Sequence, residues 1–352
     1  MAPKQRVVVI GGSGVFGRLF VRELRQWDDF QLVIAGRDRH AAERIAAEAG
    51  VIEVAQLDVR DLAALRHVAS GAFAVVCLAG PFQALDHHAP EAVVDSGAHW
   101  LDISDDPTWV DNILTSIQLR EKSLAAHLSV IPGLSSTPAL SGVLARLGRR
   151  ELADATEAAI TLFIGNKNVK GAGAIASAIS AVPRRRHSRP VIDLPFGSRR
   201  TLPFDSPDAL LLARELGLEA HFSVAFESAV ATALIRIARA LPMSGSAKTS
   251  LAKVLSVIAA PSSRFGSDAG GVDALITSRS GESRRLRFST RGQRLAILPA
   301  VLALRELAGS GVKSGCVTPA ETLPLDIWVE RLEREGVMLS RSDRSSDRNS
   351  ES

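Results

Sequence analysis

Short apolar runs alternate with amphipathic stretches along the first 135 residues of the chain. Six runs predict the strands of one sheet: RVVVI (6–10), QLVIA (31–35), VIEVAQL (51–57), AFAVVCLA (72–79), HWLDI (99–103) and LSVI (128–131). The stretches between them predict helices, the last running unbroken from Pro107 to about His127. Strands that alternate with helices in this way specify an α/β fold, a Rossmann-type doubly wound parallel sheet with right-handed crossovers.

The pattern of apolar runs and connections changes after about Arg150. Apolar runs at 155–165, 220–227, 273–278 and 286–290 predict strands, and 173–182 and 228–240 predict helices, separated by longer connections rich in Pro and Ser. From Arg291 the pattern predicts one helix to Ala308, followed by the turn GSGVKSG. We therefore predict four segments: 1–135 for nucleotide binding, an inserted α+β second domain at 136–290, a helical return to the first domain at 291–339, and a disordered tail at 340–352.

Composition narrows the function classes. The 352 residues contain two cysteines, too few for a disulfide framework, and no tyrosine, which excludes a tyrosine acid, base or nucleophile. The net charge of +4 comes without a basic stripe or aromatic platforms, so nucleic acid is not a predicted partner. Neither a signal peptide nor a 20-residue apolar helix is predicted, which favours a cytoplasmic protein without a membrane span. His87 and His88 lack a spaced carboxylate partner, so no metal site is predicted.

A glycine-rich loop follows the first predicted strand. Its residues are Gly11, Gly12, Ser13, Gly14, Val15, Phe16 and Gly17. The glycines permit a tight turn and a close approach of the backbone, and free amides at the helix start receive a pyrophosphate. Because the loop lies between a buried strand and a helix, it predicts a dinucleotide site.

The end of the second strand bears on the choice of cofactor. An NAD site usually places an acidic residue there, but this chain has Ala35, Gly36 and Arg37. The guanidinium of Arg37 suits a 2′-phosphate, which favours NADP. Asp38, next in sequence, keeps NAD open as the alternative.

Further candidates follow the third and fourth strands. Asp58 and Val59 lie where such sheets meet the adenine ring. Asp58 either accepts a hydrogen bond from the adenine amino group or caps the next helix. Ala79, Gly80 and Pro81 end the fourth strand at the carboxyl edge, where ligands bind in open α/β sheets.

The fifth strand ends in a run of acidic residues, Asp102-Ile103-Ser104-Asp105-Asp106. Carboxylates on this rim can hold an ammonium group or share a proton. Asp105 and Asp106 also suit the N-terminal cap of the helix that Pro107 opens. We therefore predict Asp102 and Ser104 as the catalytic residues.

Several motifs together resemble the saccharopine dehydrogenase-like oxidoreductases. In chain order, to about Leu325, they are GGSGVFG, LAGPFQ, AVVDSGAHWLDISDD, VIPGLSSTPALSGVLA, GNKNVKGAGAIASAIS and GVKSGCVTPAETLP. The resemblance implies a domain that binds NAD(P), with the cofactor residues carried over at Gly12, Gly14, Gly17 and Arg37. It also implies a second domain inserted after Pro132-Gly133 and a C-terminal segment that returns to the first.

The resemblance leaves the substrate open. Relatives oxidise or reduce a C–N bond between two amino-acid-like fragments, but Trp100 stands where the family often has Tyr, and Asp105 and Asp106 replace family substrate contacts. We therefore expect an NADP-dependent oxidoreductase that acts on an imine, secondary amine or carbonyl compound, a small molecule derived from amino acids and bound between the domains. The second domain is expected to form a homodimer. The alternative is a non-catalytic NADP-binding sensor or scaffold.

Overall fold

The run Gln5–Ile10 forms a central strand of a seven-stranded parallel sheet. The computed structural model describes residues 4–168, 191–235 and 265–344, except positions 52, 231, 234 and 310. It divides the chain into two compact units, one made of Met1–Ser135 and Ala296–Leu323, the other of Ser136–Leu295 and Pro324–Ser352.

The sheet of the first unit has the strand order β14-β6-β5-β4-β1-β2-β3. Its strands are β1 Gln5–Ile10, β2 Phe30–Gly36, β3 Glu53–Gln56, β4 Ala74–Cys77, β5 His99–Asp102, β6 Ser129–Ile131 and β14 Gly315–Cys316. Val7, Val8 and Val9 are fully buried, as expected for a strand covered on both faces. The strand order reverses direction between β1 and β4, which creates the crevice where ligands bind in this fold class. The predicted doubly wound parallel sheet is confirmed.

The helices of the first unit are α1 Val15–Leu24, α2 Arg39–Ala49, α3 Leu62–Ala69, α4 Ala89–Val94, α5 Pro107–Thr115, α6 Ile117–Ala125 and α9 Leu298–Ala308. The single helix predicted from Pro107 to His127 is wrong. Ser116 adopts an extended conformation, and its side chain accepts a hydrogen bond from the N–H of Leu119, so a second helix begins there. The helix predicted from Arg291 is also shorter, because the preceding strand runs to Arg291 and α9 begins at Leu298.

His99, at the start of β5, gives the first unit a pH-sensitive contact. Its Nδ1 lies 2.9 Å from the N–H of Ser129 and accepts its hydrogen bond, and burial lowers the pKa of the imidazole. The unfolded chain takes up a proton near pH 6.5, whereas the folded protein does so only at lower pH.

We therefore expect the free energy of unfolding to fall as the pH drops below about 6.5, by at most about 1.4 kcal/mol per pH unit for this one proton. His99→Gln keeps an acceptor for the Ser129 amide but cannot titrate. Denaturant unfolding of both proteins between pH 5 and 8 should show that the variant loses less free energy of unfolding at acid pH. If both proteins lose the same amount, His99 does not cause the loss of stability at acid pH.

The second unit is built on a six-stranded mixed sheet of order β10-β11-β7-β12-β13-β15. Its strands are β7 Ala155–Ile164, β10 Leu202–Pro203, β11 Glu219–Phe226, β12 Ala269–Ser278, β13 Ser283–Arg291 and β15 Met338–Arg344, and a separate pair consists of β8 Val191–Ile192 and β9 Arg199–Arg200. Strands β7 and β11 are parallel, and the other neighbours are antiparallel. Its helices are α7 Ser141–Glu151, α8 Asp208–Leu216 and α10 Leu325–Arg334. Helix α7 packs against β12 and β13, and α8 packs against β11.

The C-terminal region differs from the sequence prediction. Residues 296–323 belong to the first unit and supply β14, but 324–339 belong to the second, because α10 packs on α7 and on β15. The tail predicted from residue 340 is ordered to Arg344, where β15 pairs antiparallel with β13. The polar composition of this segment gave no sign of a strand, because the strand is held by backbone hydrogen bonds.

Two predicted helices, at 173–182 and through most of 228–240, lie outside the described residues, as do residues 345–352 of the predicted tail. Among the described residues, no helix is long and apolar enough to cross a bilayer.

Candidate dinucleotide-binding site

The loop after β1 can be built only from glycine at three positions. Gly11 has a φ of +79°, and a Cβ there would lie 2.8 Å from the backbone nitrogen of Ala79. A Cβ at Gly12 would lie 2.8 Å from the Ile34 side chain, and one at Gly17 only 2.1 Å from the Gly11 carbonyl oxygen. These close approaches pack the start of α1 tightly against the end of β1.

Gly14 differs, because only one atom of the fold lies close to the space beside it. It is exposed, has an extended conformation (φ −74°, ψ 177°), and an added Cβ would meet only the Gly11 carbonyl at 3.2 Å. Helix α1 has no side-chain cap and no acidic residue in its first turn, whereas Asp38 and Asp61 cap α2 and α3. An open backbone surface at an uncapped helix N-terminus fits a pyrophosphate.

The other loop residues flank this surface. Ser13, Val15 and Phe16 are half-buried, and the Ser13 carbonyl accepts a hydrogen bond from Arg18 Nε at 3.1 Å.

The acidic and basic residues after β2 have distinct roles. Asp38 caps α2, since its Oδ1 accepts a hydrogen bond from the N–H of Ala41 at 2.9 Å. Arg37 is exposed, and no side-chain partner of its guanidinium occurs among the described residues. The cation is thus available to a ligand while its acidic neighbour is occupied.

Asp58 binds Arg60 rather than capping a helix. Its Oδ1 accepts from the Arg60 N–H at 3.1 Å, and its Oδ2 accepts from Nη2 at 2.6 Å. Hydrogen bonds to Arg60 lower the pKa of Asp58 to about 2, and Arg37 adds a smaller effect. Asp61 caps α3, so the helix-cap alternative for Asp58 is wrong. Val59 is buried beside it.

The segment after β4 runs along the same carboxyl edge. Ala79 and Pro81 are half-buried, Gly80 is exposed, and the Gly80–Pro81 peptide bond is cis. Phe82 is buried and lies with its ring centroid 5.4 Å from that of Trp109.

Asp102 is fully buried and accepts four hydrogen bonds. The indole N–H groups of Trp100 and Trp109 donate to Oδ2 at 2.8 and 2.9 Å. The backbone N–H groups of Ser104 and Gly133 donate to Oδ1 at 2.9 Å each. Burial raises the pKa of Asp102, and the four donors oppose that shift. No atom of this side chain is left to touch a ligand.

The rest of the acidic run divides into buried and exposed members. Ser104 is fully buried, and its Oγ accepts from the N–H of Asp106 at 3.1 Å. Asp106 caps α5 through the N–H of Trp109 at 2.7 Å. Asp105 alone is exposed. Asp102 and Ser104, the residues predicted to be catalytic, are thus buried and hydrogen-bonded within the segment that carries Asp105.

Asp86, His87 and His88 are the described residues that come nearest to a metal-binding group. Their ligand atoms lie within 4.8 Å of one another, and His88 Nδ1 is 2.9 Å from Asp86 Oδ1. Both histidines are exposed, and nothing else points to an ion there.

Sequence reasoning missed Trp109 and β14. Trp109 is seven residues from Asp102 and gave no motif signal, although its place in the first turn of α5 after an acidic cap is readable. The two residues of β14 form no apolar run.

The fold and the glycine loop together define a dinucleotide-binding domain of the Rossmann class. Residues 7–131 match the model of the family described as saccharopine dehydrogenase NADP binding domain. This match lies within the first unit and agrees with the resemblance that the motifs indicated.

Two curated relatives match part of the chain. A lipid droplet localized protein of Caenorhabditis elegans is 26% identical over 148 residues, covering 39% of this chain and 35% of the relative. A saccharopine dehydrogenase-like oxidoreductase of Homo sapiens is 26% identical over 166 residues, covering 41% of this chain and 38% of the relative. The matches thus span less than two-fifths of the length of these relatives.

A solved structure matches nearly the whole chain. The apo saccharopine dehydrogenase (L-Glu forming) of Saccharomyces cerevisiae superposes with a TM-score of 0.65 and 13% identity, covering 97% of this chain and 100% of that one. At this identity the likeness establishes the fold, including the second α/β unit and the C-terminal return.

Proposed function

We propose that this protein is an NADP-dependent oxidoreductase that acts on an imine, a secondary amine or a carbonyl compound. The observation that carries the proposal is the open surface at Gly14 beside the uncapped start of α1. The match of residues 7–131 to an NADP-binding family supports it. The resemblance to relatives that work on C–N bonds supports the substrate class.

The chain's own residues would hold the cofactor at three points. Backbone amides at the start of α1 would bind the pyrophosphate, Arg37 the 2′-phosphate, and the turn Ala79–Pro81 would lie beside the nicotinamide ribose. The adenine amino group would donate to Asp58, whose carboxylate oxygens have lone pairs beyond those used by Arg60. When bound, the cofactor would supply or accept a hydride.

Arg37 is the residue expected to select NADP over NAD. A hydrogen bond to a charged group is worth about 1.5–3 kcal/mol, and about 1.4 kcal/mol is a tenfold change in affinity. Arg37→Ala should therefore weaken NADPH binding roughly ten- to a hundredfold and leave NADH binding nearly unchanged, as measured by calorimetry.

Arg22→Ala is the matched control, because Arg22 is an exposed arginine near the other end of α1. It should leave both affinities unchanged. An equal fall of NADPH and NADH affinity in Arg37→Ala would show that Arg37 maintains the shape of the loop. Tighter binding of NADH than of NADPH by the wild type would overturn the NADP assignment.

One observation favours a second candidate, an NADP-binding sensor or scaffold. The two residues first predicted to be catalytic are buried and bonded within the loop. NADPH consumption with a panel of amino acids and keto acids, followed at 340 nm, would support the enzyme. Tight NADPH binding without consumption would support the sensor.

We propose a cytoplasmic protein that forms a homodimer through its second unit. The two cysteines are free thiols, which suits a reducing compartment. Cell fractionation that includes the lipid droplet fraction tests the location, and light scattering tests the assembly. Recovery mainly with droplets, as the name of the nematode relative indicates for that protein, would contradict the location.

A further inference from the structure

The loop between β5 and α5 holds three carboxylates, of which two maintain its shape. Asp102 is 0% exposed and Asp106 is 8% exposed, and both accept backbone N–H groups of this region. Asp105 lies between them, is exposed, and accepts no hydrogen bond from another described residue. The hydrogen bonds on both sides hold the backbone at Asp105, and its carboxyl remains exposed.

Asp105 follows β5, at the end of the candidate site toward which the nicotinamide would extend. Strand β5 pairs in register with β4, Asp102 opposite Cys77, and β4 pairs with β1, Cys77 opposite Ile10. The loops after these three strands therefore share one edge of the sheet. A dinucleotide with its pyrophosphate at the β1 loop and its adenine toward β2 and β3 extends its other end toward β4 and β5.

We infer that the carboxyl of Asp105 carries the proton that enters or leaves the substrate when a hydride is exchanged, and that it lies in the field of the nicotinamide. This inference rests on the proposed function. Reduction of an imine or a carbonyl adds one hydride to carbon and one proton to nitrogen or oxygen. Asp105 gives that proton from Oδ, becomes a carboxylate, and takes a proton back from the solvent to which it is exposed.

The surroundings of Asp105 suit this role. The carboxyl is reached by water yet closely surrounded by protein, and the partial loss of hydration raises its pKa to about 6. The neighbouring charge of Asp106 adds to the shift, and the turn Phe82–Ala84 packed against α5 brings no charge. Near neutral pH such a group can both give and accept a proton.

The test is the pH dependence of two affinities, which needs no substrate. The nicotinamide ring is positive in NADP⁺ and neutral in NADPH, so an ionised Asp105 favours NADP⁺. Titration of the phosphates affects both dinucleotides alike and cancels in the ratio of their affinities. If the ring charge lowers the pKa of Asp105 by about one unit, the ratio of NADP⁺ to NADPH affinity should rise roughly threefold from pH 5.5 to 8.0.

Calorimetric titrations of the full chain should show this rise in the wild type and a flat ratio in Asp105→Asn. Asp28→Asn is the matched control, because Asp28 is exposed and precedes β2 at the opposite edge of the sheet. It should behave like the wild type. Asp105→Ala, with thermal unfolding of every variant, separates loss of the carboxyl from loss of the fold.

A flat ratio in the wild type, or the same rise in Asp105→Asn and Asp105→Ala, would overturn the assignment of Asp105 and leave the proposed function standing. If neither dinucleotide binds the wild type, the proposed function itself fails.

Discussion

Gly14→Val should weaken NADPH binding at least a hundredfold while leaving the melting temperature of the free protein nearly unchanged. The backbone of Gly14 is in an extended region that any residue adopts, and the added Cβ would meet only one oxygen at 3.2 Å. The branched side chain would instead occupy the space where the pyrophosphate must approach the amides of α1. Calorimetric titration and thermal unfolding measure the two effects separately.

Gly17→Ala is the contrasting variant. Its Cβ would lie 2.1 Å from the Gly11 oxygen and 2.5 Å from the Gly12 Cα, so helix and strand would have to separate. We expect a lower melting temperature together with lost binding. If Gly14→Val bound NADPH as the wild type does, the loop would not be the phosphate site.

The parallel sheet could be predicted from sequence because its signals are local. Each buried strand is one apolar run, and the seven-residue glycine loop Gly11–Gly17 joins a strand to a helix. The seventh strand gave no such signal. The pairing of Gly315 with Ser129 depends on backbone hydrogen bonds between distant segments.

The C-terminal strand escaped prediction for a related reason. Residues 340–344 are polar, and composition alone predicts disorder there. The backbone N–H and C=O groups at the edge of β13 pair with those of β15. Amino-acid composition does not indicate such main-chain pairing.

The sequence also could not show which carboxylates of the acidic run are buried and which is exposed. Asp102, Asp105 and Asp106 are chemically alike, and which one is buried depends on donors from other elements. Trp109 comes from α5, and Gly133 follows β6. The sequence located the acidic residues at the end of the fifth strand, but the prediction named Asp102, which is fully buried.

Asp102→Asn should destabilise the first unit by about 3 kcal/mol or more, a large part of the roughly 5–15 kcal/mol that stabilises a typical domain. All four partners of the carboxylate are N–H donors, which cannot accept a hydrogen bond. The new amide NH₂ would face two of these donors in a fully buried site. Denaturant unfolding followed by tryptophan fluorescence measures the effect, because Trp100 and Trp109 lie at the site.

Asp208→Asn in the second unit is the matched control. Asp208 is also fully buried, but its partners are the hydroxyl groups of Ser141 and Ser206, at 2.5 and 2.6 Å. A hydroxyl can rotate from donating to accepting, so an amide there keeps its hydrogen bonds. We expect a loss below about 1.5 kcal/mol. If the two variants lost equal stability, burial alone would set the cost, and the four donors around Asp102 would not explain its role.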